Sequence, residues 1–335
     1  MIRTPFVPVV DKNQQPLMPT TLSRAKRWIA SRKATPFWKK GVFCVRLNVE
    51  PSGNVKQEIA VGIDPGSKKE GFTVKSAAHT FLNIQADAVT DVKGRMDECR
   101  NARCARRYRK TPCRQPRANR ACLRKDRIPP STKARWQWKL RVLVVLRKMF
   151  PVTHVIVEDI KAVTNGQEAW DKSFSPLEIG KSWFYSQIFG VQTKQGYETK
   201  ELRDQLGLKK SKAKLSKCFE AHCVDSWVLA NSVVGGHLKP DNKLVMYVAP
   251  LRFYRRSLHW MDTQKGGARR RYGGTMSLGL KRGSIVRHKK IGIAYVGGNI
   301  NDRLSLHAMS GERLGKYYKT IDCKFVSYNS WKVLN

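Results

Sequence analysis

Hydrophobic positions in this chain fall into short alternating runs separated by polar, proline-containing turns, with three longer stretches at helical spacing. Phe6 to Val10 reads as a strand, Asp11 to Gln15 as a turn, and Pro16-Leu17-Met18-Pro19 as extended, because each proline fixes its own φ and restricts its predecessor. Thr20 or Thr21 can then cap a short basic helix reaching about Arg32. Phe43, Val45, Leu47 and Val49 alternate with Cys44, Arg46 and Asn48, the pattern of a half-buried strand. Ile59 to Ile63, Gly71 to Val74 and Thr80 to Gln85 predict three closely connected strands, an antiparallel meander. Arg100, Arg103, Arg106, Arg107 and Lys110 recur at helical spacing, and Pro112 and Pro116 should stop that helix near Lys110. A second helix is expected over 132–150, with Thr132 as cap and Trp138, Val142, Val145 and Met149 on one face. Pro151 ends it, and Thr153 to Val157 then predict a strand that delivers Glu158-Asp159. Residues 166–215 show no clear period. Residues 217–234 predict a helix with Ala221, Val224, Val228 and Leu229 inward. Ile291 to Val296 and Arg303 to His307 suggest a hairpin across the Gly297–Asp302 loop.

Length changes the picture little, since 335 residues suit about two domains. No apolar run approaches the roughly 20 residues that would span a bilayer. The opening MIRTPFVPVVDK carries proline and aspartate where a signal peptide needs an unbroken apolar stretch, so a cytoplasmic protein without membrane association is expected. Charge changes the picture a great deal. There are 65 Lys+Arg against 25 Asp+Glu, a net of +40, and such a field repels itself unless a polyanion neutralises it. Nucleic acid is the expected partner. From Arg100 to Arg127 there are twelve Lys/Arg and one acid, Asp126. Among the eight cysteines no pair has the two-residue gap of a zinc knuckle. Cys99, Cys104, Cys113 and Cys122 cluster and could hold zinc, but reduced thiols are the simpler reading.

In so basic a chain the acids at strand ends stand out. Asp64 ends the first meander strand, Glu158 ends a strand that follows a helix, and Asp225 lies on a later helix three residues after His222. Phosphodiester hydrolysis needs hard oxygen ligands for Mg²⁺, and two ions about 3.5–4 Å apart stabilise both the attacking and departing oxygens. Asp64, Glu158 and Asp225 are the candidate ligands, with Mn²⁺ an acceptable substitute, and His222 could position or deprotonate the attacking water. Asp159 should turn to the other side of its strand. Each acid alone is ordinary: Asp-Pro-Gly is turn chemistry, a strand end is often solvated, and His222 with Asp225 could be an exposed helix face. Their order and setting carry the reading.

These residues resemble a known family. Ile63-Asp64-Pro65-Gly66-Ser67, Val157-Glu158 and Ala221-His222-Cys223-Val224-Asp225 are similar to the three split motifs of a RuvC-like, RNase H-fold nuclease. Val9-Val10-Asp11-Lys12 followed by Pro16-Leu17-Met18-Pro19 resembles the PLMP module of the transposon-encoded IscB and IsrB proteins. The Arg-rich segment resembles their bridge helix, and the stretch from Lys265-Gly266-Gly267 to Gly283 with the tail resembles their target-adjacent-motif-interacting domain. IscB carries an HNH nuclease between the second and third motifs, with histidine at its centre. Here the 63 residues between Glu158 and His222 contain no histidine, so the likeness is to IsrB, the form without HNH.

The resemblance implies an α/β fold: an RNase H-like (RuvC) mixed sheet with flanking helices, a small β-rich PLMP module, an Arg-rich bridge helix and a β-rich C-terminal domain. It divides the chain into the PLMP module (1–57), RuvC-like parts (58–92, 128–165 and 216–250), the bridge and basic segment (93–127), a linker in place of HNH (166–215) and the motif-interacting domain (251–335). It implies an RNA-guided nickase, a monomer within a ribonucleoprotein, that binds a structured guide RNA (ωRNA) and cuts the non-target strand of double-stranded target DNA. Arg100, Arg103, Arg106, Arg107, Arg109, Lys110, Arg114 and Arg117 would grip the guide and heteroduplex. Arg269, Arg270, Arg271, Arg282 and Arg287 would meet the flanking duplex, where arginine can bond guanine edges. Other readings stay open at this point: a guide-independent RuvC-like nuclease, a TnpB-type nuclease, which should show paired CxxC knuckles, and a non-catalytic RNA binder.

Overall fold

The structure, a computed structural model, describes residues 5–51, 53, 55–110, 128–161, 175–213, 216–250, 276–308, 312–328 and 331–334. In chain order the first elements are β1 (Phe6–Val10), β2 (Pro16–Thr21), α1 (Leu22–Ala30), β3 (Ala34–Lys39) and β4 (Val42–Leu47). Next come β5 (Ile59–Asp64), β6 (Lys69–Ser76), β7 (Thr80–Asp87), α2 (Val92–Lys110), α3 (Pro130–Arg147) and β8 (His154–Asp159). They are followed by α4 (Pro176–Ser186), β9 (Val191–Gln195), α5 (Gly196–Gln205), α6 (Phe219–Val234) and β10 (Val245–Pro250). The last strands are β11 (Met276–Ser277), β12 (Leu280–Lys281), β13 (Ser284–His288), β14 (Gly292–Ile300), β15 (Arg303–His307), β16 (Arg313–Lys319), β17 (Cys323–Tyr328) and β18 (Trp331–Val333). The protein is mixed α/β with several sheets. Among the described residues no helix is long and apolar enough to cross a membrane.

Two compact units divide the chain. One comprises Met1–Asn13, Thr20–Pro51 and Met246–Asn335; the other comprises Gln14–Pro19 and Ser52–Val245. In the first, β1 pairs parallel with β4, and β3 pairs antiparallel with β4. Thr21 caps α1 by accepting from the Arg24 N–H, and the helix stops at Ala30, short of the expected Arg32, which has left-handed φ (+57°). The alternation read for β4 needs correction. Cys44 and Val45 are both buried, Phe43 is only half-buried, and Val49 lies past the strand end at 45% exposure. β3, not anticipated, pairs along one edge of β4 while β1 pairs along the other, so β4 is an inner strand, and Cys44 is buried on the face that alternation gives to solvent. A five-stranded sheet, β16-β15-β14-β13-β17, closes over Val286, Ala294, Val296, Leu304 and Leu306. The expected hairpin is β14–β15, but pairing continues to Ile300 opposite Arg303, so the turn shrinks to Asn301-Asp302, with Asn301 in the left-handed region.

The second unit is built on the strand order β7-β6-β5-β8-β9. β5, β6 and β7 form the antiparallel meander; β8 runs parallel to β5, and β9 runs parallel to β8. Every residue of β5 is buried, as expected for a strand covered on both faces. Strand alternation assigns the faces. Gly71, Thr73 and Lys75 of β6 meet α6: Thr73 Oγ1 lies 2.8 Å from Ser226 Oγ, and Lys75 Nζ donates to Asn231 Oδ1 and to the Gly235 carbonyl. Glu70, one position out of phase, meets Lys139 of α3 on the opposite face.

Glycine lets α6 approach closely. A Cβ on Gly62 would fall 1.9 Å from the Ser226 carbonyl oxygen, and one on Gly71 would fall 2.1 Å from that of His222. With Val224, Trp227 and Val228 nearly fully buried beside these contacts, each worth about 1.5–3 kcal/mol, the register of helix on sheet is fixed. α3 begins at Pro130 after Pro129, so Thr132 is inside the helix rather than its cap; the proline at the first position supplies the preset φ. Its expected face, Trp138, Val142 and Val145, with Met149 just beyond, is buried.

Candidate active site

Two parallel strands and one helix bring three acids to one end of the sheet. Asp64 is the last residue of β5 and is 5% exposed. The turn after it requires Gly66, where a Cβ would sit 1.7 Å from the Lys69 carbonyl oxygen. Pairing of Ile63 with Val157 places Glu158 beside Asp64. Glu158 is in phase with Ile156, which packs in one cluster with Leu229 and Ala230 of α6, so both face α6. Asp159 faces the other way, bonded by Lys181 at 2.7 Å, by Gln195 at 3.1 Å and by Tyr185 at 3.4 Å. α6 supplies Asp225, 2% exposed, and His222, whose Nδ1 is 3.9 Å from Asp64 Oδ2.

The electrostatics are those of crowded acids. Burial pushes the Glu158 carboxyl up to about 8, helped by the Asp64 charge, a hydrogen bond with Asp64 and the Asp225 charge, against Lys210. Glu158 therefore keeps its proton to higher pH than an exposed glutamate. Two cations complete the cluster. Arg203 Nη1 of α5 donates to Asp225 Oδ1 at 2.7 Å. Lys210, in the α5–α6 connection, donates to Asp225 Oδ2 and lies 3.5 Å from Asp64 Oδ2. Burial alone would lower the Lys210 pKa; Asp64, Asp225 and Glu158 overcome it and hold it above the ordinary lysine value. On the opposite face the Glu70–Lys139 pair, 2.7 Å apart, is fully buried.

Among the described residues, no three His, Cys, Asp or Glu side chains stand close enough together to hold one ion as placed. The donor set nevertheless fits a hard divalent cation: it offers carboxylate oxygens, and an ammonium already sits between two of them. Arg203 and Lys210 were not singled out by the sequence, because they lie in the 166–215 stretch where no apolar period marks an element. The available hint was the basic run Lys209-Lys210-Ser211-Lys212 shortly before the helix bearing His222 and Asp225.

The basic candidates divide by position. Arg100 and Arg103 are exposed on α2, where Arg103 Nε donates to the Cys99 carbonyl. Arg106, Arg107, Arg109 and Lys110 continue that helix. Arg287 is exposed on β13, whereas Arg282 is half-buried. Arg114, Arg117, Arg269, Arg270 and Arg271 lie outside the described residues, as do the 265–267 motif, Cys113 and Cys122 of the cysteine cluster; Cys99 and Cys104 are free and exposed.

Residues 7–170 match the family model described as RRXRR protein. That span includes Asp64, Glu158 and Arg106-Arg107-Tyr108-Arg109-Lys110, and ends before His222 and Asp225. No curated protein matches the chain. Among solved structures, T. thermophilus RuvC in complex with Holliday junction substrate is similar at 14% identity, over 54% of this chain and 98% of that chain, with a TM-score of 0.28.

Proposed function

We propose, from the likeness of residues 7–170 to RRXRR proteins and from the acid cluster that Asp225, outside that span, completes, that this chain is an RNA-guided DNA nickase with one RuvC-like, RNase H-like centre. The observation that carries the reading is the meeting of Asp64, Glu158 and Asp225 at one sheet end, around the Lys210 ammonium. In a protein of net charge +40, acids buried together need a purpose beyond solvation. Asp64, Glu158 and Asp225 would be the oxygen ligands. When bound, two divalent ions activate a water and stabilise the departing oxygen of the cut strand. His222, with Nδ1 3.9 Å from Asp64, would take a proton from the attacking water. Arg203 holds Asp225 in orientation through Oδ1 and leaves Oδ2 for other partners. Burial excludes bulk water and strengthens each of these interactions.

The remaining parts follow the same reading. Residues 1–57 act as the PLMP module, 93–127 as bridge helix and basic segment, and 251–335 as the domain that meets the flanking duplex. The chain works as a monomer in a cytoplasmic ribonucleoprotein. A guide RNA (ωRNA) supplies sequence recognition, the protein reads helix shape and a short flanking motif, and one centre cuts one strand, the non-target strand. Expressing the chain with its neighbouring genomic DNA and sequencing the RNA that co-purifies tests the guide. A single discrete structured RNA is expected. RNA of random cellular origin would refute guidance and leave a guide-independent nuclease.

A further inference from the structure

The Lys210 side chain occupies the place a cation would take. Its ammonium bonds Asp225 Oδ2 and lies 3.5 Å from Asp64 Oδ2, so it bridges two of the three acids. Arg203 is the second cationic side chain on the cluster. The two cations differ in mounting. Arg203 grows from α5, is 14% exposed in its side chain and takes the other oxygen of Asp225. Lys210 stands on a connection whose backbone is pinned on both sides: the Leu208 N–H bonds the Arg203 carbonyl at 3.0 Å, and the Ser211 N–H bonds the Glu220 carbonyl at 2.8 Å. Its side chain is 32% exposed, so the flexible four-carbon stem has a route to solvent while its anchor stays fixed.

We propose that Lys210 is an internal counter-cation of the acid centre: it holds Asp64 and Asp225 together before a divalent cation arrives and must swing out when one binds. The side chain thereby sets the affinity for that cation. This rests on the reading of the acids as cation ligands. A lysine suits the task because its compact, strongly hydrated ammonium leaves readily for water, whereas a planar guanidinium would lock onto the carboxylate.

Mn²⁺ binding to the full-length chain, followed by the electron paramagnetic resonance signal of free Mn²⁺, tests this. Binding is counted as the part lost in Asp64→Asn. Lys210→Met should bind Mn²⁺ about tenfold tighter or more, because a competing charge a few ångströms away is gone. Its metal-free melting temperature should fall below that of the unsubstituted chain, and added Mn²⁺ should close the gap. Lys210→Arg should bind no tighter than the unsubstituted chain. Should Lys210→Met fail to fold by circular dichroism, Lys210→Gln carries the same expectation. Unchanged or weaker Mn²⁺ binding in the neutral variant, with Asp64-dependent binding present in the unsubstituted chain, overturns the role of Lys210 and leaves the acid centre intact. Absence of Asp64-dependent Mn²⁺ binding in both overturns the acid-centre reading, and this inference with it.

Discussion

Gly62→Ala is the substitution whose consequences the packing defines most fully. Gly62 lies in β5, two residues before Asp64, directly under α6. The added Cβ would stand 1.9 Å from the Ser226 carbonyl oxygen and 2.9 Å from the Ala230 amide nitrogen, both backbone atoms that cannot rotate away. Reaching an ordinary contact of 3.4 Å requires helix and strand to part by about 1.5 Å. Overpacking of this kind costs about 1–3 kcal/mol. The chemistry should suffer more than the stability, because His222 and Asp225 ride on the displaced helix while Asp64 and Glu158 stay on the sheet. A misplacement of about 1 Å can cost roughly 100-fold in rate. Urea unfolding at unchanged m-value, with strand-nicking rates below the transition, separates the two effects. Gly53→Ala is the control, since a Cβ there meets nothing within 4 Å. If Gly62→Ala unfolds and nicks like Gly53→Ala, the close approach of α6 is not what sets the site.

Other consequences can be checked independently. Lys139→Met strands the buried Glu70 carboxylate and should cost about 3–5 kcal/mol by chemical denaturation, while the double replacement Glu70→Leu with Lys139→Met should recover most of it. Glu158 has a folded pKa raised above its unfolded value, so its contribution to stability is fully present below about pH 4.5 and is lost as pH rises toward about 8. Metal-free melting of Glu158→Gln relative to the unsubstituted chain should therefore improve steadily from pH 5 to pH 8; a flat difference would show that Glu158 is not held protonated. DNA binding should weaken steeply with salt, with a log–log slope near −9 if about ten duplex phosphates are neutralised. Replacing Mg²⁺ by Ca²⁺ should preserve binding and slow or stop cutting, because the larger ion tolerates looser geometry.

Much of the scaffold was legible because it follows local rules. The meander of β5, β6 and β7 came from short apolar runs and turns, and the helical spacing of Arg100, Arg103 and Arg107 agrees with α2. Alternation put Glu158 and Asp159 on opposite faces, and the partners of each agree with that. What stayed hidden depends on distant pairing. β9, Val191-Gln-Thr-Lys-Gln, has almost no apolar pattern and is a strand because β8 lies beside it. α5 is polar along most of its length, so Arg203 gave no sign of reaching Asp225. Lys210 looked like one basic residue among many. The burial of Cys44 was unreadable too, since alternation with Arg46 and Asn48 put it on a solvent face.

Strand-resolved cleavage of a guide-matched duplex, with Mg²⁺, by the RNA complex of the unsubstituted chain and of Asp64→Ala addresses the central claim most directly. The unsubstituted complex should nick one strand, and Asp64→Ala should bind the same duplex with similar affinity and leave both strands whole. Equal nicking by Asp64→Ala would mean that the acids gathered around Lys210 are not where the phosphodiester is broken.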